Sequence, residues 1–188
     1  MIFIAGIYNR LRIIKYTLLS TCRQVEGRCF KRGPVLLNGK GKIYFDKNVN
    51  LGYADSPCFY NTYIYLEARN SNSSIKIKKG VYINNNACFI SEGSEGITIG
   101  PGTLMGTNVT IYDSDFHELD SHKRTTGTPA TAGVNIGENV FIGSGVTILK
   151  GVSIGNNSVI GSGSVVSASL PENVIAAGNP CKIIKLLN

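Results

Sequence analysis

The residues best suited to proton transfer are the chain's two histidines, His117 and His122. A neutral imidazole is the side chain best able to accept a proton near neutral pH. A carboxylate or a backbone carbonyl must then hold one ring nitrogen so that the other faces the group being deprotonated. Four carboxylates lie in the same stretch of sequence: Asp113, Asp115, Glu118 and Asp120. The cluster predicts a general base here, with ordinary solvated loop residues as the alternative.

Composition limits the classes of protein to which the chain belongs. Its 188 residues are enough for one buried domain, and 43% apolar residues with 16% charged residues exclude a disordered chain. The net charge of +7 favours an anionic partner, which includes a phosphorylated cofactor, an acidic glycan, anionic lipid or nucleic acid. The five cysteines form no Cys-x-x-Cys pair, which indicates reduced thiols in a cytoplasmic protein.

A six-residue period decides the architecture that must position the histidines. Aliphatic residues recur without slippage at Ile136, Ile142, Ile148, Ile154, Ile160 and Val166. A period of six fits neither an amphipathic helix nor a simple alternating strand. It is typical of a short strand and a turn repeated along a coil, with the aliphatic residues stacked inside. The same phase is found upstream at Ile77, Ile83 and Phe89, then at Ile99, Met105 and Ile111.

Both histidines lie where the repeat is interrupted. The spacing between Ile111 and Ile136 leaves a long insertion, so we predict an extruded loop over about residues 113–135. Long loops in a compact scaffold are usually functional or disordered. The four residues 93–96 add a smaller insertion that predicts a bulged corner.

Three segments carry a resemblance to a known family. They are Ile-Gly-Glu-Asn-Val-Phe-Ile-Gly-Ser-Gly-Val (136–146), Val-Ile-Gly-Ser-Gly-Ser-Val-Val (159–166) and Ala-Gly-Asn-Pro-Cys-Lys-Ile-Ile (177–184). They resemble the hexapeptide-repeat acyltransferases, especially the galactoside, maltose and surface-polysaccharide O-acetyltransferase branch. The resemblance implies an all-β fold: a left-handed parallel β-helix that assembles into a homotrimer with active sites between subunits. It implies that acetyl-CoA is the co-substrate and that a sugar or glycan is the acceptor.

The resemblance also assigns roles to residues near the loop. His117 matches the catalytic histidine of the related enzymes, whereas His122 does not, so we expect His117 to take the proton from an acceptor hydroxyl. Asp115 is the first choice among the carboxylates for orienting His117. Asn84 matches an asparagine that contacts the acceptor and the acyl group, although Asn85 and Asn86 are rivals because asparagine is also a favoured turn residue.

The co-substrate is expected along the late coils. Phe141, Ile142, Gly143 and Ser144 match the Trp-Ile-Gly-Ser stretch that contacts the acetyl thioester in the galactoside branch, with phenylalanine in place of tryptophan. Gly161, Ser162 and Ser167 match positions along which the pantetheine arm approaches the backbone. Lys182 and Lys185 are placed to meet the nucleotide phosphates. No residue is assigned to a metal.

Three other functions are the alternatives for the same scaffold, and the histidine count argues against one of them. N-acetylation of an amino sugar would use the same scaffold and base. A gamma-class carbonic anhydrase site needs three histidines, and a symmetric interface can draw only two from this chain. A scaffold that binds polyanions would use the scattered lysines and arginines, but no nucleic-acid-binding motif accompanies them.

The first residues differ from the repeat. Ile7, Leu11, Ile14 and Leu18 recur at helical spacing, which predicts a helix that covers the open end of the coil. Contact of this helix with the inner membrane surface is the second interpretation of the same pattern. The sequence thus predicts a capping helix and connector over residues 1–34 and the β-helix over residues 35–188.

Overall fold

The structure is a computed structural model that describes residues 2–187, so Met1 and Asn188, at the ends of the two predicted ranges, lie outside the described residues. One helix, α1 (Ile2–Leu19), precedes a column of strands stacked almost entirely in parallel. This arrangement confirms the predicted parallel β-helix of hexapeptide repeats with a short N-terminal helix and a long extruded loop. Within residues 2–187, no helix is long and apolar enough to cross a membrane.

The coil has three flat faces, and each turn contributes one short strand to each face. Two long strands bend across a corner and so belong to both face 1 and face 2: β1 (Gln24–Lys31) and β3 (Lys42–Leu51). Because β1 already stacks on β3 in parallel, the coil begins before residue 35, the start predicted from the sequence.

The remaining strands follow this order. Face 1 continues with β5 (Ser74–Ile77), β8 (Ile97–Ile99), β11 (Val134–Ile136) and β14 (Ser153–Ile154). Face 2 continues with β6 (Tyr82–Ile83), β9 (Leu104–Met105), β12 (Phe141–Ile142), β15 (Val159–Ile160), β17 (Val174–Ala177) and the antiparallel β18 (Lys182–Leu186). Face 3 consists of β2 (Val35–Gly39), β4 (Ile64–Ala68), β7 (Cys88–Ser91), β10 (Thr110–Tyr112), β13 (Thr147–Ile148) and β16 (Val165–Val166).

The interior of the coil is the aliphatic column that the repeat predicted. Ile142, Ile148, Ile160 and Val166 are fully buried, and every other aliphatic position of the predicted repeat is also buried. The chain turns sharply at each corner of the coil, where some residues adopt a positive φ. Asparagine tolerates this conformation better than most residues. Asn139, Asn157 and Asn173 occupy successive corners, where their side-chain amides form a ladder with bonds of 3.0 and 3.1 Å.

The extruded loop leaves and rejoins the coil through a closed base. It runs from residue 113 to residue 133, between β10 and β11. The fully buried Asp113 carboxylate accepts hydrogen bonds from Ser91 Oγ at 2.8 Å, Glu92 N at 2.6 Å and Gly93 N at 3.2 Å. Burial raises the pKa of the Asp113 carboxyl, and these hydrogen bonds oppose the rise. A bridge between Ser114 and Thr131 brings the two arms of the loop together.

Helix α1 contacts β2 at the first turn of the coil, but not through the side that its sequence pattern predicted. Ile7, Leu11, Ile14 and Leu18 are all exposed, so this stripe points away from the coil. Cys22, Val35 and Leu37 fill the interior of the coil at this end. The orientation has a physical cause, because polar side chains on the other face of the helix bind the coil's backbone.

We predict that Ile148→Asp prevents folding. The fully buried side chain contributes to the aliphatic column, and replacing it with a carboxylate should cost about 5 kcal/mol or more, which is comparable with the whole free energy of unfolding of a typical domain. Circular dichroism and thermal melting would measure the effect, with the exposed Glu138→Ala as the tolerated control. A soluble Ile148→Asp protein with an unchanged melting temperature would contradict the register.

We also predict that Asp113→Ala destabilises the base of the loop. The change leaves buried donors of residues 91–93 without their acceptor, at a cost of at least about 2 kcal/mol, which should lower the melting temperature by roughly 4–8 °C. Asp120→Ala is the matched control, because Asp120 is an exposed loop residue whose loss should change stability by no more than about 0.5 kcal/mol. Equal melting temperatures for the two variants would show that Asp113 does not fasten the loop.

Candidate active site

His117 lies exposed in the extruded loop, and one of its ring nitrogens is held by the backbone. Nδ1 lies 3.2 Å from the carbonyl oxygen of Arg124, across a turn of the same loop. A carbonyl oxygen can only accept a hydrogen bond, so Nδ1 must carry the proton in this arrangement. In the neutral ring, Nε2 therefore carries the free lone pair. This is the tautomer that a general base acting through Nε2 requires.

The residue before His117 has a strained backbone that a surrounding network holds in place. Phe116 has a φ of 61°, which is uncommon for a bulky side chain. Its ring packs edge-on against Tyr112, with centroids 5.2 Å apart, and lies 5.0 Å from the guanidinium carbon of Arg69. Residues 69 and 116 are far apart in sequence, so no sequence pattern predicted their contact.

Arg69 is itself fixed by two carboxylates. It binds Glu67 through two hydrogen bonds of 3.1 and 3.2 Å and lies 3.6 Å from Glu92. The hydrogen bond to Glu67 raises the pKa of Arg69, which keeps the guanidinium charged. Ser114 Oγ donates to Glu92, so the same network also reaches the base of the loop. Arg69 thus connects Phe116, the residue before His117, to the base of the loop.

The predicted orienting role of Asp115 does not match its position. Its carboxylate lies 3.4 Å from Lys150 Nζ, on the neighbouring coil, and its partner is therefore a lysine. Glu118 and Asp120 accept from backbone N–H groups of their own loop. The Arg124 carbonyl occupies the orienting position beside His117 Nδ1, because the turn of the loop brings residue 124 back to residue 117.

Asn84 and its two neighbouring asparagines make different contacts in the structure. Asn85 is buried and clamps the segment 53–57, with hydrogen bonds to backbone atoms of Tyr53, Ser56 and Pro57. Asn86 has a φ of 59° and belongs to a corner ladder with Asn108. The half-buried Asn84 donates to Ser56 Oγ at 3.0 Å. Asn84 Oδ1 also accepts from Asn85 N at 2.8 Å, so each of the three side chains has a structural partner, and Asn84 stays the predicted acceptor contact.

The corner where face 2 meets face 3 gathers most of the predicted co-substrate residues. We call it the glycine ridge and define it by Asn84, Gly106, Gly143, Ser144, Gly161 and Ser162. Backbone hydrogen bonds link consecutive coils along it, from Gly143 N to Ile160 O and from Gly161 N to Ala176 O, both 2.8 Å. Lys182 pairs with Ala177 at the end of β17, so it lies at the continuation of the same ridge.

The glycines of the ridge are needed by the coil itself. A Cβ at Gly143 would lie 2.6 Å from Ser162 N, and one at Gly161 would lie 2.8 Å from Ala177 Cβ. Close stacking of coils therefore explains both glycines without any ligand. Ser144 is more informative: it is exposed, and its Oγ accepts from Thr107 N at 3.2 Å, which leaves its hydroxyl proton free to be donated.

Not all predicted residues come together in one chain. Ser167 follows β16 at the opposite edge of face 3, on the corner from which the extruded loop departs. Lys185 pairs with Ile175, further from the ridge than Lys182. Within residues 2–187, no hydrogen bond or ion pair joins His117 to Asn84 or Ser144. The width of face 3 separates the histidine loop from the glycine ridge.

Part of the chain matches a known protein family. Residues 133–168 match the family described as bacterial transferase hexapeptide (six repeats). The galactoside O-acetyltransferase of Escherichia coli (strain K12) is 40% identical over 116 residues, which cover 62% of this chain and 56% of that relative. The chain thus matches little more than half the length of this curated relative.

Two solved structures extend the similarity. A galactoside acetyltransferase in complex with coenzyme A aligns with a TM-score of 0.56 at 31% identity, covering 85% of this chain and 64% of the other. A maltose O-acetyltransferase from Clostridium difficile 630 aligns with a TM-score of 0.50 at 26% identity, covering 98% and 82%. Residues 133–168 thus carry the hexapeptide repeat of the bacterial transferases, and the chain has a left-handed parallel β-helix fold like that of the galactoside and maltose acetyltransferases to which it is similar.

Proposed function

We propose that the protein is an acetyltransferase that moves an acetyl group from acetyl-CoA to a sugar hydroxyl, in the biosynthesis of a surface polysaccharide. The observation that carries the proposal is the exposed His117 ring, whose Nδ1 is held by the Arg124 carbonyl while Nε2 is left free. The relatives named galactoside and maltose O-acetyltransferase support the reaction class.

In the proposed reaction, His117 Nε2 accepts the proton of the acceptor hydroxyl as that oxygen attacks the thioester carbonyl carbon. The carbon–sulfur bond then breaks, and the imidazolium returns the proton to the departing thiolate. A hydroxyl is a weak nucleophile until its proton is removed, so an adjacent base is essential. The Arg124 carbonyl supports this cycle because its hydrogen bond to Nδ1–H persists in both charge states of the ring.

The glycine ridge is the proposed site for the thioester and the pantetheine arm. The exposed Ser144 hydroxyl can donate to the oxygen that becomes negative in the tetrahedral intermediate. Ser162 lies exposed beside Gly143 and Gly161, at the corner along which the pantetheine arm is proposed to run. Lys182, at the end of the ridge, is the cation best placed for the nucleotide phosphates, and Lys185 and Ser167 are less well placed.

We further propose that the active site is completed between subunits of a homotrimer. The histidine loop and the glycine ridge lie at opposite edges of face 3, so the loop of one subunit must meet the ridge of its neighbour. A column of outward side chains on face 2, beside the ridge, suits a subunit contact: Tyr82, Leu104, Phe141, Val159 and Ile175. Leu104 and Phe141 are each 49% exposed, which is unusual for large apolar side chains aligned on one flat face.

We place the enzyme in the cytoplasm. Acetyl-CoA is a cytoplasmic metabolite, and the cysteines at positions 22, 29, 58, 88 and 181 form no disulfide among the residues that the structure describes. Unpaired thiols are typical of proteins in a reducing compartment.

We predict that His117→Ala lowers turnover by roughly 10²–10⁴-fold, which is the usual contribution of a positioned general base. The variant should fold normally and bind acetyl-CoA with unchanged affinity, because the exposed ring belongs to the loop and not to the ridge. His122→Ala is the matched control, since His122 is an exposed residue of the same loop and should keep nearly full activity. Equally mild losses in both variants would reject His117 as the base.

We predict that the product is an ester. Incubation with acetyl-CoA and candidate sugars, followed by mass spectrometry, should show an acetylated sugar that releases acetate under mild alkali. An amine can attack once it is neutral, so an N-acetyltransferase on this scaffold would need the histidine less. An alkali-stable amide on an amino sugar would overturn O-acetylation and leave the fold and the acetyl-CoA site intact.

A further inference from the structure

Helix α1 presents a contiguous apolar stripe to solvent. Five side chains on one side of the helix form it, and we call them the outer stripe: Ile4, Ile7, Leu11, Ile14 and Leu18. Their exposed fractions range from 44% for Ile7 to 80% for Leu18. A surface helix normally turns such a stripe toward the protein core. An exposed apolar patch of this kind marks an interaction site.

The opposite side of the helix explains why the outer stripe faces outward. Asn9 Nδ2 donates to the carbonyl of Arg32 at 2.8 Å, and the buried Arg12 donates to the carbonyls of Phe59 and Thr62. Tyr16 stacks on Tyr63 with centroids 4.5 Å apart. These contacts fix the rotation of the helix about its axis, so the exposure of the stripe is built into the fold.

The charges beside the outer stripe indicate what covers it. Arg10 and Lys15 are exposed, and helical geometry places them on opposite sides of the stripe, at roughly 80° and roughly 60° from its centre. The helix contains no aspartate or glutamate, and the whole chain carries a net charge of +7. A second copy of the same stripe would bring its own cations against these, with unfavourable repulsion. An anionic surface is complementary to both cations.

We propose that α1 docks on the surface of a bilayer that contains anionic lipids. The outer stripe enters the boundary between headgroups and acyl chains, and Arg10 and Lys15 contact the negatively charged headgroups. Tyr8 and Tyr60, which are 50% and 48% exposed beside the helix, add amphipathic rings suited to the same depth. This inference does not depend on the proposed reaction.

Vesicle flotation of the full-length protein tests the proposal. The protein should float with vesicles of phosphatidylcholine and phosphatidylglycerol, less with phosphatidylcholine alone, and less at high salt. The double variant Leu11→Ser/Leu18→Ser should bind the anionic vesicles more than about tenfold more weakly, because two apolar side chains no longer leave water. Arg10→Glu/Lys15→Glu should bind roughly 25-fold more weakly or worse, from about fivefold per cation lost.

Controls separate docking from folding, assembly and catalysis. Ile184→Ser, at an exposed position of β18, should float like the unaltered protein. Turnover of a soluble acceptor should be unchanged in Leu11→Ser/Leu18→Ser, so that loss of docking is distinguishable from failure of the proposed activity. The proposal is overturned if the unaltered protein does not float with anionic vesicles, or if the double variant floats equally well. It is also overturned if sedimentation shows that the unaltered protein is an oligomer that does not bind vesicles and that the double variant is dissociated. The outer stripe would then join copies of the chain.

Discussion

The whole molecule depends on backbone hydrogen bonding between successive coils in strict register. Gly143 N bonds to Ile160 O and Thr147 N to Ser164 O, each to the residue one coil further on. Parallel stacking in register places like side chains above one another, so an aliphatic residue at one level requires an aliphatic residue at the next. The buried column from Ile136 to Val166 follows from this requirement. So do the corners, where only glycine, asparagine and a few other residues can turn the chain tightly enough.

Because the period is a local property of the sequence, the scaffold could be predicted from it in detail. The six-residue period predicts which positions are buried and which residues form the extruded loop. The orienting group of His117 could not be predicted, because it is a backbone carbonyl, and a carbonyl has no sequence signal. The partner of Asp115 and the contact between Arg69 and Phe116 also join separate coils or corners. The rotation of α1 was predicted wrongly, since helical spacing shows which residues share a side but not which side meets the coil.

One segment connects the helix to the glycine ridge. Residues 53–62 bulge from the second corner between face 2 and face 3, and their carbonyls at Phe59 and Thr62 receive Arg12. The same segment contacts Asn84 through Ser56 and is clamped by Asn85. The helix and the candidate acceptor residue are thus two ends of one hydrogen-bonded unit. If α1 rests on a membrane, Asn84 lies at the end of the molecule that is nearest to it.

Because the base of the extruded loop is closed, the sequence of the loop can change during evolution without disturbing the coil. Asp113 anchors the departing strand, Ser114 and Thr131 bridge the two arms, and Ile111 and Ile136 keep the phase of the column on either side. Insertions, deletions and substitutions between residues 115 and 130 therefore leave the inter-coil ladder intact. Related proteins can therefore differ in what the loop recognises at little cost to stability. In the coil, by contrast, only the insertion or deletion of a complete turn keeps the strands in register.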